Sequence, residues 1–138
     1  MNYLEQFQGR FIGVMQWEDC SSLLQKLIEN PNDWYLYDTL KPMPDATHGA
    51  EDFIDNINSI KDTLINEHQE RYCGIVYTND LDNPSFVKVF HPNNLGKVCG
   101  GSDNPPLPQW ILSKEKPMDV VKEFGEKEEG FISKHLRF

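Results

Sequence analysis

The sequence predicts an α+β domain built on a mainly antiparallel sheet. Two amphipathic segments with helical spacing, 19–30 and 50–70, are interspersed with short runs rich in β-branched and aromatic residues. The runs at 72–78 and 85–91 are separated by turn-forming residues alone, which is the pattern of an antiparallel hairpin. We therefore expect four to five strands, two longer helices packed on one face of the sheet, and a short C-terminal helix.

The elements before the hairpin follow from apolar spacing. The run within 10–17 is interpreted as a strand, although its spacing also fits a helix. Gly9 and Gly13 favour the strand, because each glycine weakens a helix by about 1 kcal/mol. Residues 19–30 carry a complete helical stripe, and 33–38 forms a short aromatic strand. The stripe consists of Cys20, Leu23, Leu24, Leu27 and Ile28. We expect its one thiol to lie in the core.

The long helix predicted over 50–70 has one apolar and one acidic face. The apolar stripe consists of Phe53, Ile57, Ile60 and Leu64. The opposite face carries Asp55, Asn58, Ser59 and Asp62. By default this second face is simply solvated, and the alternative is an acidic ridge that binds a partner.

The two faces of the second hairpin strand differ in character. Val87 and Val89 alternate with Phe86, Lys88 and Phe90, so the two sets point to opposite sides of the sheet. We expect the valines to face the core. The other face places a lysine between two aromatic residues, so we expect it to be partly wet.

The chain after the hairpin contains a turn-rich loop and two further elements. Residues 109–113 are a candidate fifth strand, and a short helix is expected over 117–124. The tail, 125–138, is apolar for a terminus and either docks on its own domain or contacts a partner. No interdomain linker or repeat is recognisable, so residues 1–138 are treated as one acidic domain.

Composition limits the class of protein. The chain has 138 residues, enough for a core without a metal or disulfide, and no apolar run approaches the roughly 20 residues of a membrane span. The first ten residues do not have the pattern of a signal peptide. The three cysteines form no CxxC motif. We therefore expect a soluble cytoplasmic protein with free thiols.

The net charge of −9 is unevenly distributed. Residues 1–70 hold 4 Lys/Arg against 13 Asp/Glu, whereas 71–138 hold 9 of each. Such a chain repels phosphate backbones and anionic membranes, so we expect neither nucleic acid nor a membrane as a partner. A basic protein partner would be attracted to the acidic half. The alternative role of this charge is solubility alone.

The best candidate for chemistry is Cys99, in the loop between the second hairpin strand and the candidate fifth strand. Two glycines follow it, so backbone N–H groups can converge on an anion, and the positive charge of Lys97 would lower the pKa of the thiol. His91 or His48 is a candidate base for a Cys/His nucleophile. No base lies at a diagnostic spacing, so the alternative is a turn that buries a small thiol. The candidate ligand-binding residues are Lys97, Cys99, Gly100, Gly101, Ser102, Asn104 and Trp110.

Cofactor and metal motifs are missing from the sequence. It contains no GxGxxG, Walker or HExxH pattern, and Cys73, His91 and Cys99 lack the paired spacing of a zinc site. We therefore expect no metal and no cofactor. The leading hypothesis is a non-enzymatic binding or accessory protein that uses the acidic N-terminal half and the 91–110 loop as its interaction surface. The alternatives are a thiol enzyme or redox protein centred on Cys99 and a small-molecule binding module at the same loop.

Overall fold

The computed structural model describes residues 2–68, 70–92 and 107–124. Their helices and strands are α1 (Tyr3–Phe7), β1 (Ile12–Val14), α2 (Trp17–Glu29), β2 (Tyr35–Asp38), α3 (Ala50–Glu67), β3 (Val76–Thr78), β4 (Phe86–Val89), β5 (Trp110–Ser113) and α4 (Val120–Phe124). The strands form one sheet in the order β1-β3-β4-β5-β2, and every neighbouring pair is antiparallel. The predicted α+β fold is confirmed, including the candidate fifth strand. The run within 10–17 contributes a strand, as its glycines indicated.

The two longer helices end where the backbone leaves helical geometry. Helix α2 spans 13 residues and ends before Asn30, which precedes a proline. Helix α3 spans 18 residues and ends at Glu67, three residues earlier than predicted. At its end His68 adopts φ −108° and ψ 88°, and its side chain turns inward to the carbonyl of Cys73, 2.7 Å away.

The first face of the sheet packs against α2 and α3, which also contact each other. The buried residues of this core include Leu23, Leu24 and Leu27 from α2, Phe53, Ile57, Ile60 and Leu64 from α3, and Leu36, Val76, Val87, Val89 and Leu112 from the sheet. Trp34 stacks on Phe53 with ring centroids 5.7 Å apart, which joins the start of β2 to α3. The apolar stripes predicted for both helices therefore form one core with the valines of β4.

The second face of the sheet is also covered, by the short helices α1 and α4. Its core contains Tyr3, Phe7, Tyr37, Phe86, Ile111 and Val120. Phe86 is fully buried, so the prediction of a partly wet face is wrong at this position. Lys88 is partly buried, and its Nζ lies 4.2 Å from the ring centroid of Phe7 and 4.0 Å from that of Phe11. The two aromatic rings form a cation–π cage around the lysine.

Within the described parts of the chain, no helix is both long and apolar enough to cross a membrane.

Replacing Phe86 by alanine tests whether the second face is part of the core. Phe86 contacts the rings of Tyr3, Phe7 and Phe11 at centroid distances of 5.1–6.5 Å. We expect Phe86→Ala to lower the free energy of unfolding by about 3–5 kcal/mol, because the truncation leaves a cavity among these rings. Urea denaturation measures the change. Leu40→Ala is the matched control: Leu40 is 77% exposed, and its loss should change stability by less than about 0.5 kcal/mol. A Phe86 variant as stable as this control would contradict a packed second face.

The buried position of Lys88 predicts a pH-dependent stability. Burial lowers the pKa of Lys88 from 10.5 to about 8. Between pH 8 and 10 the unfolded chain therefore binds more protons at this site than the folded chain, so stability rises with pH across this window. We expect the gain to be about 1–2 kcal/mol, since the side chain keeps some contact with water.

The comparison of wild type with Lys88→Met isolates this effect. Chemical denaturation at several pH values between 7 and 10 should show wild type gaining stability relative to the variant as pH rises. The other titrating groups are common to both proteins, so their contributions cancel in the difference. Parallel pH profiles would show that Lys88 is solvated in the folded protein.

Candidate functional site

The predicted site residues divide into two groups in the structure. Lys97, Cys99, Gly100, Gly101, Ser102 and Asn104 lie outside the described residues, so the hypotheses that rest on them remain predictions. His91 and Trp110 are described, and they lie at the two ends of the connection between β4 and β5.

Strand pairing brings His91 and Trp110 together although 18 residues separate them in the chain. Trp110 pairs with Val89 across the β4–β5 ladder, and the N–H of Gln109 donates to the Val89 carbonyl at 3.0 Å. The ring centroids of His91 and Trp110 are 6.1 Å apart with planes inclined by 32°. Both side chains are half-buried. The base of the 91–110 connection is thus a fixed aromatic surface.

A carboxylate that the sequence did not reveal lies beside His91. Glu67, the last residue of α3, places its Oε1 3.6 Å from Nε2 of His91. A carboxylate beside an imidazole can orient the ring, as it does for general bases. No spacing rule links these two residues, because only the packing of α3 on the sheet brings the end of the helix to the end of β4.

The strongest electrostatic feature lies on the layer formed by α2 and α3, which we call the acidic layer. These helices carry eight Asp/Glu and two Lys. The carboxylates belong to Glu18, Asp19, Glu29, Glu51, Asp52, Asp55, Asp62 and Glu67, and all eight residues are exposed. The four residues predicted to form an acidic ridge on α3 are exposed as well: Asp55, Asn58, Ser59 and Asp62.

The carboxylates of the acidic layer are hardly neutralised. The ion pairs found in residues 2–68, 70–92 and 107–124 are Asp52 with His48 at 4.0 Å and Glu67 with His91 at 3.6 Å, and both partners are histidines. The two lysines of the layer line one surface groove between α2 and α3, together with Glu29. Lys26 donates to the carbonyl of Leu81 at 2.8 Å, and Lys61 lines a crevice between the two helices. The layer therefore has a net negative charge, and its two lysines are grouped at one groove.

The hairpin loop between β3 and β4 uses its acids for turn formation. The carboxylate of Asp80 accepts hydrogen bonds from the N–H groups of Asp82 and Asn83, at 2.8 and 3.0 Å. These bonds lower the pKa of Asp80. In the described part of the chain, no group of three or more His, Cys, Asp or Glu side chains could hold a metal ion.

Comparisons with known proteins do not assign a family. No protein-family model matches the chain, and no curated protein or solved structure matches it either. The geometry of the described residues is therefore the basis of the functional argument.

Proposed function

We propose that this chain is a non-enzymatic binding or accessory protein whose acidic layer docks a basic segment of a partner protein. The observation that carries the proposal is the set of eight exposed carboxylates on α2 and α3 without a Lys or Arg partner among the described residues.

The one-sided charge supports docking over a surface that serves solubility alone. Soluble proteins usually intersperse charges of both signs. The described segment 107–124 does so, with three lysines and three acids, whereas the acidic layer holds acids at a ratio of four to one. A surface of one sign attracts a partner of the opposite sign and accelerates its association.

The acidic layer also ends in apolar groups suited to an interface. Met15, Ile65 and Tyr72 are 53%, 55% and 45% exposed. They lie around the end of α3, where the N–H of Cys73 donates to the carbonyl of Met15 at 2.7 Å. Methionine and aromatic residues are enriched in protein interfaces. The surface therefore suits a basic, amphipathic segment, with the carboxylates guiding approach and the apolar end supplying contact area.

Charge reversal on α3 tests the proposal. We compare wild type with Asp55→Lys/Asp62→Lys and with a control, Glu115→Lys/Glu123→Lys, which makes the same charge change outside the acidic layer. The probe is a synthetic lysine- and arginine-rich amphipathic peptide, and its Kd is measured by fluorescence anisotropy at low and physiological salt. At physiological salt we expect the α3 variant to bind at least about tenfold more weakly and the control within about threefold, because exposed charges are screened beyond a Debye length of about 8 Å.

The same three proteins, tagged and expressed in their native cells, connect the peptide result to a natural partner. A partner of the proposed kind is a basic protein recovered with wild type and the control but lost with the α3 variant. Equal recovery with all three proteins, or equal peptide binding, would refute docking on the acidic layer.

One observation favours a second candidate function, a thiol enzyme or redox protein centred on Cys99. His91 lies beside the carboxylate of Glu67. An activated nucleophile needs a general base and a group that orients this base, and these two residues could fill those roles. In this candidate function Cys99 supplies the nucleophile and His91 takes its proton. Cys99 lies outside the described residues, so its role stays a hypothesis. Of this constellation the structure describes His91 and Glu67.

Alkylation of Cys99 by iodoacetamide tests this second function. If His91 activates the thiol, the rate at pH 7 should fall about tenfold in His91→Ala, because the thiolate is the reacting form. Glu67→Gln should lie between the two. Peptide mass spectrometry separates Cys99 from the two buried cysteines. A Cys99 that titrates near its ordinary value, about 8.5, with the same rate in all three proteins would end this hypothesis.

A further inference from the structure

The end of α4 meets the end of α1 on the second face of the sheet. The rings of Phe124 and Phe7 are stacked, with centroids 5.6 Å apart and planes inclined by 8°. Val120, at the start of α4, belongs to the same core as Phe7. Phe124 is the last residue that the structure describes. The segment 125–138 therefore begins beside the end of α1.

An open cavity lies at the same end of α1. It has a volume of about 570 Å³, and its lining includes Gln6, Gly9, Arg10, Asn79 and Phe86. The first three come from α1 and the turn after it, and the other two come from the β3–β4 hairpin. Ligand pockets in proteins typically measure about 300–1,000 Å³. The cavity therefore has room for an occupant larger than a few water molecules.

The charges around this cavity favour an anionic occupant. Arg10 is exposed, and no Asp or Glu within residues 2–68, 70–92 and 107–124 forms an ion pair with it. Lys88 does not belong to the lining, but its ammonium, 4.2 Å from the ring centroid of Phe7, adds positive charge on the same face. Two acids near these residues in the chain have other roles. The carboxylate of Glu5 caps α1, and that of Asp80 accepts the hydrogen bonds of the hairpin turn.

The sequence that follows α4 complements the cavity in charge and in length. Residues 126–129 are Glu-Lys-Glu-Glu, and Phe131 and Ile132 come after one further glycine. An extended chain spans about 3.3–3.6 Å per residue, so the segment from Phe124 to Phe131 can reach roughly 23–25 Å. Arg10 lies only three residues after Phe7, the ring on which Phe124 stacks. The acidic run is therefore within reach of Arg10, and the apolar pair is within reach of the cavity.

We propose that residues 126–132 of the same chain occupy this cavity. The carboxylates of 126–129 lie against Arg10, and the side chains of Phe131 and Ile132 enter the space between α1 and the β3–β4 hairpin. Burial of the two apolar side chains supplies the contact area, and the charge pairing fixes the direction in which the segment crosses the cavity. The sequence left open whether 125–138 docks on its own domain or contacts a partner. These residues lie outside the described ones, and the proposal selects the first alternative.

Tethering favours this occupant over a separate molecule. A segment joined to its site by a short linker has an effective concentration on the order of millimolar, so contacts too weak for a free peptide can hold it in place. A small molecule or a second protein would have to displace the segment, so the cavity is closed to weak ligands. The inference is independent of the acidic layer, because α2 and α3 cover the opposite face of the sheet.

The experiment attaches a nitroxide spin label to the segment in the full chain. The protein carries Cys99→Ser and Ser133→Cys, and mass spectrometry verifies that a single label is present, since the other two cysteines are buried. In a heteronuclear NMR correlation spectrum we expect the oxidised label, compared with the reduced one, to broaden the backbone amide signals of Gly9, Arg10 and Asn79. The amide of Asp62, on the acidic layer, should keep its intensity.

Charge exchange separates a docked segment from one that is only tethered nearby. Arg10→Glu should reduce the broadening at Asn79, and so should replacement of the three glutamates within 126–129 by lysine. The combination of both changes should restore it, because the charges are again opposite. Arg71→Glu is the matched control: it makes the same charge change at an exposed position outside the described lining, and the broadening should persist.

The dispersion of each spectrum establishes that the variant is folded, and the glutamate replacement alone decides the question if Arg10→Glu does not fold. Absence of broadening at the cavity, or equal broadening in every variant, would overturn the proposal. So would a mixed sample in which the spin label on one copy broadens the cavity signals of an isotope-labelled second copy, because the occupant would then come from another chain.

Discussion

Burial of β4 on both of its faces is the constraint on which the rest of the structure depends. This strand lies at the centre of the sheet, with β3 on one side and β5 on the other. Val87 and Val89 require the cover of α2 and α3, and Phe86 requires the cover of α1 and α4. The central strand therefore joins two cores, and the short helices at its second face are as necessary to it as the long helices at the first.

The same constraint explains why a lysine lies among aromatic rings. Side chains alternate along β4, so Lys88 must point to the face of Phe86. Its long aliphatic stem can be buried there, while the ammonium lies over the rings of Phe7 and Phe11. The rings compensate part of the lost hydration, and the remaining cost is the physical origin of the lowered pKa of Lys88.

The sequence predicted the sheet and both amphipathic helices because periodicity records which side of an element is buried. It did not show that α1 covers Phe86, since periodicity says nothing about which distant element supplies the cover. The contact of Glu67 with His91 has the same origin. It joins elements that are far apart in the chain, and no local pattern encodes their approach.

Half of the carboxylates of the acidic layer lie in the first turns of α2 and α3, where they favour the helix dipole, and the other half have no such role. Like charges on two neighbouring helices repel one another, and this repulsion opposes the compact state. The packed core between α2 and α3 holds the helices together in spite of it, through apolar contacts that carboxylates on the outer surface do not weaken. A basic segment bound across the layer would remove the repulsion as well as add contacts. Because such a ligand binds the folded state preferentially, association and folding stability would be linked, and the complex would be more stable than the free chain.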